Sequence, residues 1–182
     1  SGNDSRAWVQ VFDTTDGHKL SDTAPFPACP VQLFAAPDNG TLFLVCWGDP
    51  TIRLIDLQSG NVLDDVLTMP GPVAGALSVR AGQGGFIDIV TTNGKGVSLN
   101  LQTRQIVHRT ELAGLANDHL RVVGGQVAGS DDAMYWIVGV APMDQPSAGT
   151  RQIRLFDRST GDEWKRVDSP VPLTGATLAY EM

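Results

Sequence analysis

The amino-acid sequence predicts an all-β protein built from repeated four-stranded units, and three observations predict it. The 182 residues include 20 Gly and 11 Pro, which favour frequent turns and few helices. A short strand-and-turn motif occurs four times, with Asp or Asn at positions 13, 56, 100 and 157. The intervals between these positions are 43, 44 and 57 residues, so two of the three agree within one residue. Such a repeat indicates one structural unit used several times.

The four copies of this motif each predict a strand, a turn and a second strand. In each copy, a strand with alternating side chains ends at Asp or Asn, which can cap the backbone two residues on. A glycine then supplies the positive φ that lets the chain reverse. The third copy has Arg104 in place of glycine, so we expect its turn to differ or to be strained. The copies are Val9–Gly17, Ile52–Gly60, Val97–Arg104 and Ile153–Gly161.

The segments between the motifs predict two more strands in each repeat. The second of these is the more apolar, and its β-branched and aromatic residues favour a strand buried on both faces. We therefore expect four antiparallel strands per repeat, with the second strand in the middle. The expected first strands are Val31–Ala36, Leu77–Arg80, Arg121–Val127 and Ala176–Tyr180, and the expected second strands are Thr41–Trp47, Phe86–Thr91 and Met134–Val140.

Four antiparallel strands every 43 or 44 residues is the period of a β-propeller blade. The sequence therefore predicts a β-propeller, or a segment of one, with about four blades. The turn pattern Asp-x-x-Ser/Thr-Gly at Asp56–Gly60 and Asp157–Gly161 also resembles the blades of YVTN-type, quinoprotein-type and WD-repeat propellers. The Gly-His and Trp-Asp dipeptides of WD repeats do not occur in register, and the Trp-rich quinoprotein motif is absent. The resemblance is therefore to the superfamily and to no family within it.

The repeat divides the chain, taken as a single domain over residues 1–182, into blades. We expect a partial blade at 6–22, full blades at 29–69, 72–112 and 119–168, and a closing or next-blade strand at 174–181. These strands are one short of a closed ring, which favours an arc of a larger propeller over a small irregular ring of four blades. A helix at 105–116 is an alternative at one position, but its place in the repeat favours a strand.

Charge, apolar runs and histidine spacing argue against several classes of protein. The net charge of −7, with 13 basic residues scattered along the chain, argues against a nucleic-acid clamp. The longest apolar run, Ala133–Ala141, is less than half of what a membrane-spanning helix needs, so membrane insertion is not expected. His18, His108 and His119 are too far from one another and from a cysteine to form a zinc motif.

The two cysteines, Cys29 and Cys46, are too few for a disulfide scaffold. If Asp38–Thr41 is a tight hairpin turn, regular pairing sets Cys46 opposite Leu33 and not opposite Cys29. Two packed free thiols are therefore the favoured interpretation, and a disulfide is the alternative.

The longer loops of the repeat are the expected place for a binding site. In a propeller, the loops from second to third strands and from one blade to the next gather on one face, and irregular loops on a rigid scaffold usually carry function. The extra length of the third interval falls in two of these loops, although an inert surface insertion is an equal alternative. The candidate partner- or ligand-binding residues are Trp47, Asp49, Asn117, Asp118, His119, Met143, Asp144 and Gln145.

No residue spacing in the sequence predicts a catalytic set, a metal site or a cofactor. The leading hypothesis is a non-catalytic β-propeller scaffold that mediates protein–protein interaction. Its partner is expected to be another protein, the rest of the propeller or a second chain. One alternative is part of a propeller oxidoreductase, such as a subunit that resembles a quinoprotein or amine dehydrogenase, with its catalytic residues elsewhere. The other alternative is an extracytoplasmic ligand-binding sensor domain.

Overall fold

The computed structural model describes residues 6–23, 25–27, 29–37, 40–79, 85–130, 133–145 and 150–173. This part of the chain is all-β, as the sequence predicts, and none of its residues forms a helix that is able to cross a membrane. The strands are β1 Arg6–Ala7, β2 Gln10–Phe12, β3 Lys19–Asp22, β4 Phe26–Pro27, β5 Val31–Ala35, β6 Thr41–Cys46, β7 Thr51–Asp56, β8 Val62–Thr68, β9 Val73–Val79, β10 Phe86–Thr91, β11 Lys95–Asn100, β12 Gln105–Glu111, β13 Leu120–Ser130, β14 Ala133–Pro142, β15 Thr150–Asp157 and β16 Glu163–Leu173.

Twelve of these strands form three four-stranded antiparallel sheets. Strands β5 to β8 make the first sheet, β9 to β12 the second and β13 to β16 the third, each in chain order. Near the N-terminus, β2 pairs with β3 in a two-stranded sheet, and β1 pairs with β4 in another. Consecutive strands joined by short turns give this meander, because antiparallel neighbours need only a tight connection.

The sequence predicts which segments form these strands better than it predicts the residues at which they begin and end. The second strand of each sheet lies between two neighbours, and Phe43 and Leu44 on opposite faces of β6 are both fully buried. Strand β9 begins at Val73, earlier than the predicted start at Leu77, because Val73 is itself part of the core. Residues 105–111 form strand β12 and not a helix. The predicted strand at 174–181 lies outside the described residues.

Apolar side chains join each sheet to the next. One cluster packs the first sheet against the second, another packs the second against the third, and a third packs N-terminal residues against the first sheet. Burying one such side chain contributes about 1.5–3 kcal/mol, so these junctions are the main source of stability. Fully buried members include Phe43, Ile52, Leu54, Ile87, Leu99, Trp136 and Phe156.

The repeated Asp residues cap the turns between third and fourth strands, as the sequence predicts. Asp56 Oδ1 accepts hydrogen bonds from the backbone N of Ser59 at 2.6 Å and from its hydroxyl at 2.8 Å. Asp157 is bonded to Ser159 in the same way, at 2.8 and 2.6 Å. Because these bonds favour the charged form, they lower the pKa of both carboxyl groups from the ordinary value.

The last residue of each turn takes the left-handed conformation. Gly17, Gly60 and Gly161 have φ values of 76°, 71° and 80°. Arg104 occupies the same position in the third copy with φ of 58°, so this turn carries the strain that the sequence predicts. Its guanidinium donates a hydrogen bond to Thr41 Oγ1 in the first sheet at 3.0 Å, a contact that glycine cannot make.

Gly60→Ala is expected to lower the free energy of unfolding more than Gly17→Ala does. Both residues have positive φ, which costs a non-glycine residue about 1–2 kcal/mol. A Cβ at Gly60 would also lie 2.6 Å from Ser21 Cβ, whereas a Cβ at Gly17 has no atom within 4 Å. The overlap adds about 1–3 kcal/mol. Urea denaturation measures both variants, and equal losses would contradict the close packing of Gly60.

The interpretation of two free thiols is wrong, because Cys29 and Cys46 form a disulfide with a Cα–Cα distance of 5.7 Å. The expected register is two residues out, since Cys46 pairs with Val31 and not with Leu33. The connection between β5 and β6 is longer than a two-residue turn, and the backbone bond from Ala36 N to Thr41 O closes it at 2.8 Å. Cys29 therefore lies two residues from the partner of Cys46, close enough to be bridged.

Replacing both cysteines with Ser is expected to lower the free energy of unfolding by about 3 kcal/mol, because the disulfide restrains the unfolded chain. The bond links residues separated by 17 positions. Urea denaturation with and without a reductant measures the effect, and the reduced wild type should match the double variant. Two reactive thiols in the unreduced wild type would show that the disulfide is absent.

Candidate functional site

The loop before β13 and the loop after β14 lie side by side. The two strands are neighbours as far as Leu120, which pairs with Pro142. Just beyond this pair, Met143 N donates a hydrogen bond to His119 O at 2.9 Å. Two groups of candidate residues are thus brought together, and we call them the loop surface: Asn117–His119 and Met143–Gln145.

One side of the loop surface is a compact turn at residues 113–119. Asp118 N donates a hydrogen bond to Gly114 O at 2.9 Å within this turn. Leu115 points into the core between the second and third sheets, where it is 2% exposed. His119 ends the turn with φ of 51°. The backbone of the turn is therefore fixed by hydrogen bonds and by a buried side chain.

Asp118 is tied to a buried arginine of β15. Its Oδ2 lies 2.8 Å from Nη2 of Arg154, whose side chain is 2% exposed. Arg154 also lies 3.1 Å from Glu163 Oε2 and donates from Nε to Gln152 Oε1 at 2.7 Å. A buried guanidinium needs such partners, because the loss of its hydration is otherwise uncompensated. Asp118 therefore anchors the loop surface, and its carboxylate is already paired with Arg154.

The other residues of the loop surface point to solvent. Met143 is 47% exposed, although it is a large apolar residue. Its neighbours Asn117, His119, Asp144 and Gln145 are polar and exposed. The loop surface therefore presents one exposed methionine among polar side chains, on a backbone that hydrogen bonds hold in place.

Trp47 and Asp49 lie on the loop between β6 and β7. Trp47 is 41% exposed, and its indole Nε1 donates to Gln32 Oε1 at 3.3 Å. Asp49 accepts hydrogen bonds from the backbone N and hydroxyl of Thr51 at 2.9 and 2.6 Å, and from Arg53 at 3.0 Å. Partial burial by itself raises the pKa of Asp49, but these bonds outweigh it and the pKa is lowered. Asp49 is thus a turn cap, while Trp47 is available for contact.

Backbone hydrogen bonds join the loops of successive sheets into one rim. Trp47 and Asp49 lie at one end of this rim and the loop surface at the other, so the structure places all the candidate residues along one edge but in two separate groups. The linking bonds are Gly48 N to Val73 O at 2.8 Å, Thr92 N to Pro72 O at 2.8 Å and Val122 N to Thr92 O at 3.0 Å.

Sequence reasoning missed the buried ionic contacts between sheets. Arg158 reaches from the turn after β15 to Asp88 of the second sheet, and its Nε and Nη2 lie 3.0 Å from the two carboxylate oxygens. Ser98 bonds to both side chains. The one available signal was a carboxylate within the apolar run Phe86–Val90, since a buried acid needs a partner. Arg154 gives a similar signal, because it lies within the strand of the motif Ile153–Gly161 and a buried base also needs a partner.

Among the residues that the structure describes, one group of side chains has ligand atoms close enough together to hold a metal ion. Atoms of Asp13, Asp16 and His18 all lie within 4.8 Å of one another at the turn between β2 and β3. Asp13 Oδ1 accepts from Thr15 N at 2.6 Å, and Asp16 Oδ1 lies 2.6 Å from His18 Nδ1. These oxygens already stabilise the turn, so the cluster is explained by local capping.

Asp118→Ala is expected to lower the free energy of unfolding by about 1–3 kcal/mol, because Arg154 would lose one of its two carboxylate partners while remaining buried. Asp144→Ala is the matched control, since Asp144 is an exposed acid of the same surface. It should change stability by less than about 0.5 kcal/mol. Thermal denaturation compares the two, and equal effects would contradict the anchoring role of Asp118.

No protein-family model matches the sequence, and no curated protein matches it. The structure is similar to that of dihydro-heme d1 dehydrogenase NirN in complex with DHE, with a TM-score of 0.52 and 14% identity over 91% of this chain. It is also similar to BamB from Moraxella catarrhalis, with a TM-score of 0.53 and 12% identity over 91% of this chain. Hydrazine synthase from Kuenenia stuttgartiensis gives a TM-score of 0.49 and 11% identity, covering 77% of this chain and 36% of that one.

NirN and BamB are both propeller proteins, and the likeness shows the fold alone. The chain spans 33% of the length of NirN and 59% of that of BamB. The four-stranded antiparallel sheets are therefore β-propeller blades, as the repeat predicts.

Proposed function

We propose that this chain is a non-catalytic β-propeller scaffold that binds another protein through the loop surface. The observation that carries the proposal is the Asp118–Arg154 ion pair at 2.8 Å, which fixes an exposed loop to a buried side chain of the blade. The hydrogen bond from Met143 to His119 joins the second loop to the first. The result is a surface with exposed side chains on a backbone that is fixed before a partner arrives.

The energetics of this arrangement favour recognition. Ordering a loop on binding costs conformational entropy, and a loop that is already fixed avoids much of that cost. Met143 supplies a flexible apolar side chain that adapts to a partner surface. Asn117, Asp144 and Gln145 supply hydrogen-bond donors and acceptors around it, as in the polar rim of many interfaces.

Trp47 extends the proposed surface toward the first blade. Tryptophan is enriched among residues that dominate binding energy, because it buries a large area with few rotatable bonds. Its single side-chain hydrogen bond, to Gln32, is long at 3.3 Å. We therefore assign Trp47 as a secondary contact for a partner large enough to span the rim.

The disulfide between Cys29 and Cys46 favours an extracytoplasmic location for this scaffold. Structural disulfides form and persist in oxidising compartments and are rare where thiols are kept reduced. The oxidoreductase alternative, with its catalytic residues elsewhere, is supported by the similarity of the fold to that of NirN. The scaffold proposal is preferred because it is also supported by contacts between described residues of this chain, the Asp118–Arg154 pair and the Met143–His119 hydrogen bond.

The proposal is tested by affinity capture from the native source with three versions of the tagged chain. The loop variant replaces Met143, Asp144 and Gln145 with Gly-Ser-Gly. The control variant is Val107→Ser, which removes an exposed apolar residue from β12, away from the rim. The wild type and the control should capture the same partner, and the loop variant should lose it.

A quantitative measurement follows once a partner is captured. Met143→Ala is expected to raise the Kd for that partner by roughly tenfold, the effect of truncating a central contact. Calorimetry measures the change, with circular dichroism as a check on folding. If the loop variant retains every partner of the wild type, the loop surface is not the binding site.

A further inference from the structure

The two junctions between complete blades differ in chemistry at matching positions. We number the three four-stranded sheets as blades in chain order. In the first blade, Phe43 pairs with Leu54 across the two middle strands. Asp88 and Ser98 form the matching pair of the second blade. The pairs match because Leu54 and Ser98 each lie two residues before the repeated Asp or Asn. An apolar pair in one blade therefore corresponds to a polar pair in the next.

The residue that follows the repeated Asp or Asn changes in the same way. Leu101, in the turn of the second blade, is 3% exposed and belongs to the apolar cluster that contains Phe43 and Leu54. Arg158 is the matching residue of the third blade, and its guanidinium lies against the polar pair of the second blade. Three apolar residues at the first junction thus correspond to an acid, a hydroxyl and a base at the second. We call these three residues the polar seam: Asp88, Ser98 and Arg158.

The polar seam is held in one geometry. The side chain of Asp88 is 0% exposed and that of Arg158 is 27% exposed. Arg158 donates from Nε and Nη2 to the two oxygens of Asp88 at 3.0 Å, and its Nη2 also lies 2.7 Å from Ser98 Oγ. The backbone oxygen of Arg158 accepts hydrogen bonds from Trp136 Nε1 at 3.3 Å and from Thr110 Oγ1 at 3.0 Å. Both the backbone and the side chain of Arg158 are therefore fixed at the junction.

The polar seam disfavours a wrong neighbour more than it stabilises the right one. An apolar set of similar shape is often as stable as a buried ion pair, or more stable. A wrong neighbour is costly, because the turn of the second blade presents Leu101 and would leave Asp88 buried without a cation. Conversely, Arg158 packed on Phe43 and Leu54 would be buried without a carboxylate. Each wrong pairing leaves one charge uncompensated, which is strongly unfavourable.

We propose that the polar seam fixes the order in which the blades pack, by making the second blade accept the third and reject copies of itself. Repeat proteins are subject to misassembly and to exchange of units between chains, because their units bury similar apolar faces. The seam supplies a difference between two otherwise similar junctions. It acts separately from the loop surface, which shares no residue with it.

The test copies the apolar set of the first junction into the polar seam. The triple variant Asp88→Phe, Ser98→Leu, Arg158→Leu has the residue types that pack at the matching positions. Its Tm is expected to lie within about 4 °C of the wild-type value or above it. Arg158→Leu alone should lower the Tm by at least about 6 °C, because it leaves Asp88 buried without its cation. Differential scanning calorimetry measures both variants.

Refolding from urea, with the disulfide kept oxidised, shows whether the order of the blades is lost. The wild type is expected to recover the same share of its native-size species at about 1 and about 50 μM protein. The triple variant should lose roughly half of that species at the higher concentration, because its blades also pack on those of other chains. The missing protein should form soluble oligomers with the wild-type circular dichroism spectrum. Size-exclusion chromatography with light scattering measures the shares.

Arg158→Lys is the matched control, because it keeps a cation beside Asp88. It should refold as the wild type does at both concentrations. The double variant Asp88→Leu, Arg158→Leu keeps Ser98 and is the second apolar version of the seam. It should behave as the triple variant does, with less change in side-chain volume.

Four results would overturn the proposal. The first is equal recovery of the wild type and the triple variant at both concentrations, and the second is an unchanged Tm for Arg158→Leu. The third is a loss of the triple variant to precipitate alone, which would indicate general aggregation and not exchanged blades. The fourth is a failure of both apolar variants to fold, because the ion pair would then be needed for stability and not for the order of the blades.

Discussion

The rest of the structure depends on apolar packing between the faces of successive blades. A blade of four strands cannot bury its second strand alone, because that strand has an apolar side chain on both faces. Phe43 on one face of β6 packs toward the second blade, and Leu44 on the other face packs toward the N-terminal residues. Each blade therefore depends on packing against a neighbour to bury its second strand, so the contacts between blades follow from the pattern of apolar residues in the strands.

Ion pairs in which one partner is buried add specificity to this packing. Arg158 and Asp88 join the third blade to the second, and Arg154 joins the third blade to the turn that carries Asp118. Such a pair contributes little net stability compared with an apolar contact, but it strongly disfavours arrangements that leave the buried charge, Arg154 or Asp88, without its partner. The pairs thus help to fix the position of the third blade and of the loop that carries Asp118.

The repeat made the strands and turns predictable, because each rests on local chemistry. The cap at Asp56 and the positive φ at Gly60 are properties of a few adjacent residues, and both were visible in the sequence. The disulfide was not predictable in this way, since a connection two residues longer than expected changed which residue lies opposite Cys46. The partner of Arg154 was also hidden, because Asp118 lies 36 positions away and is reached only through the fold. The position of the loop surface was predictable, but the anchor beneath it was not.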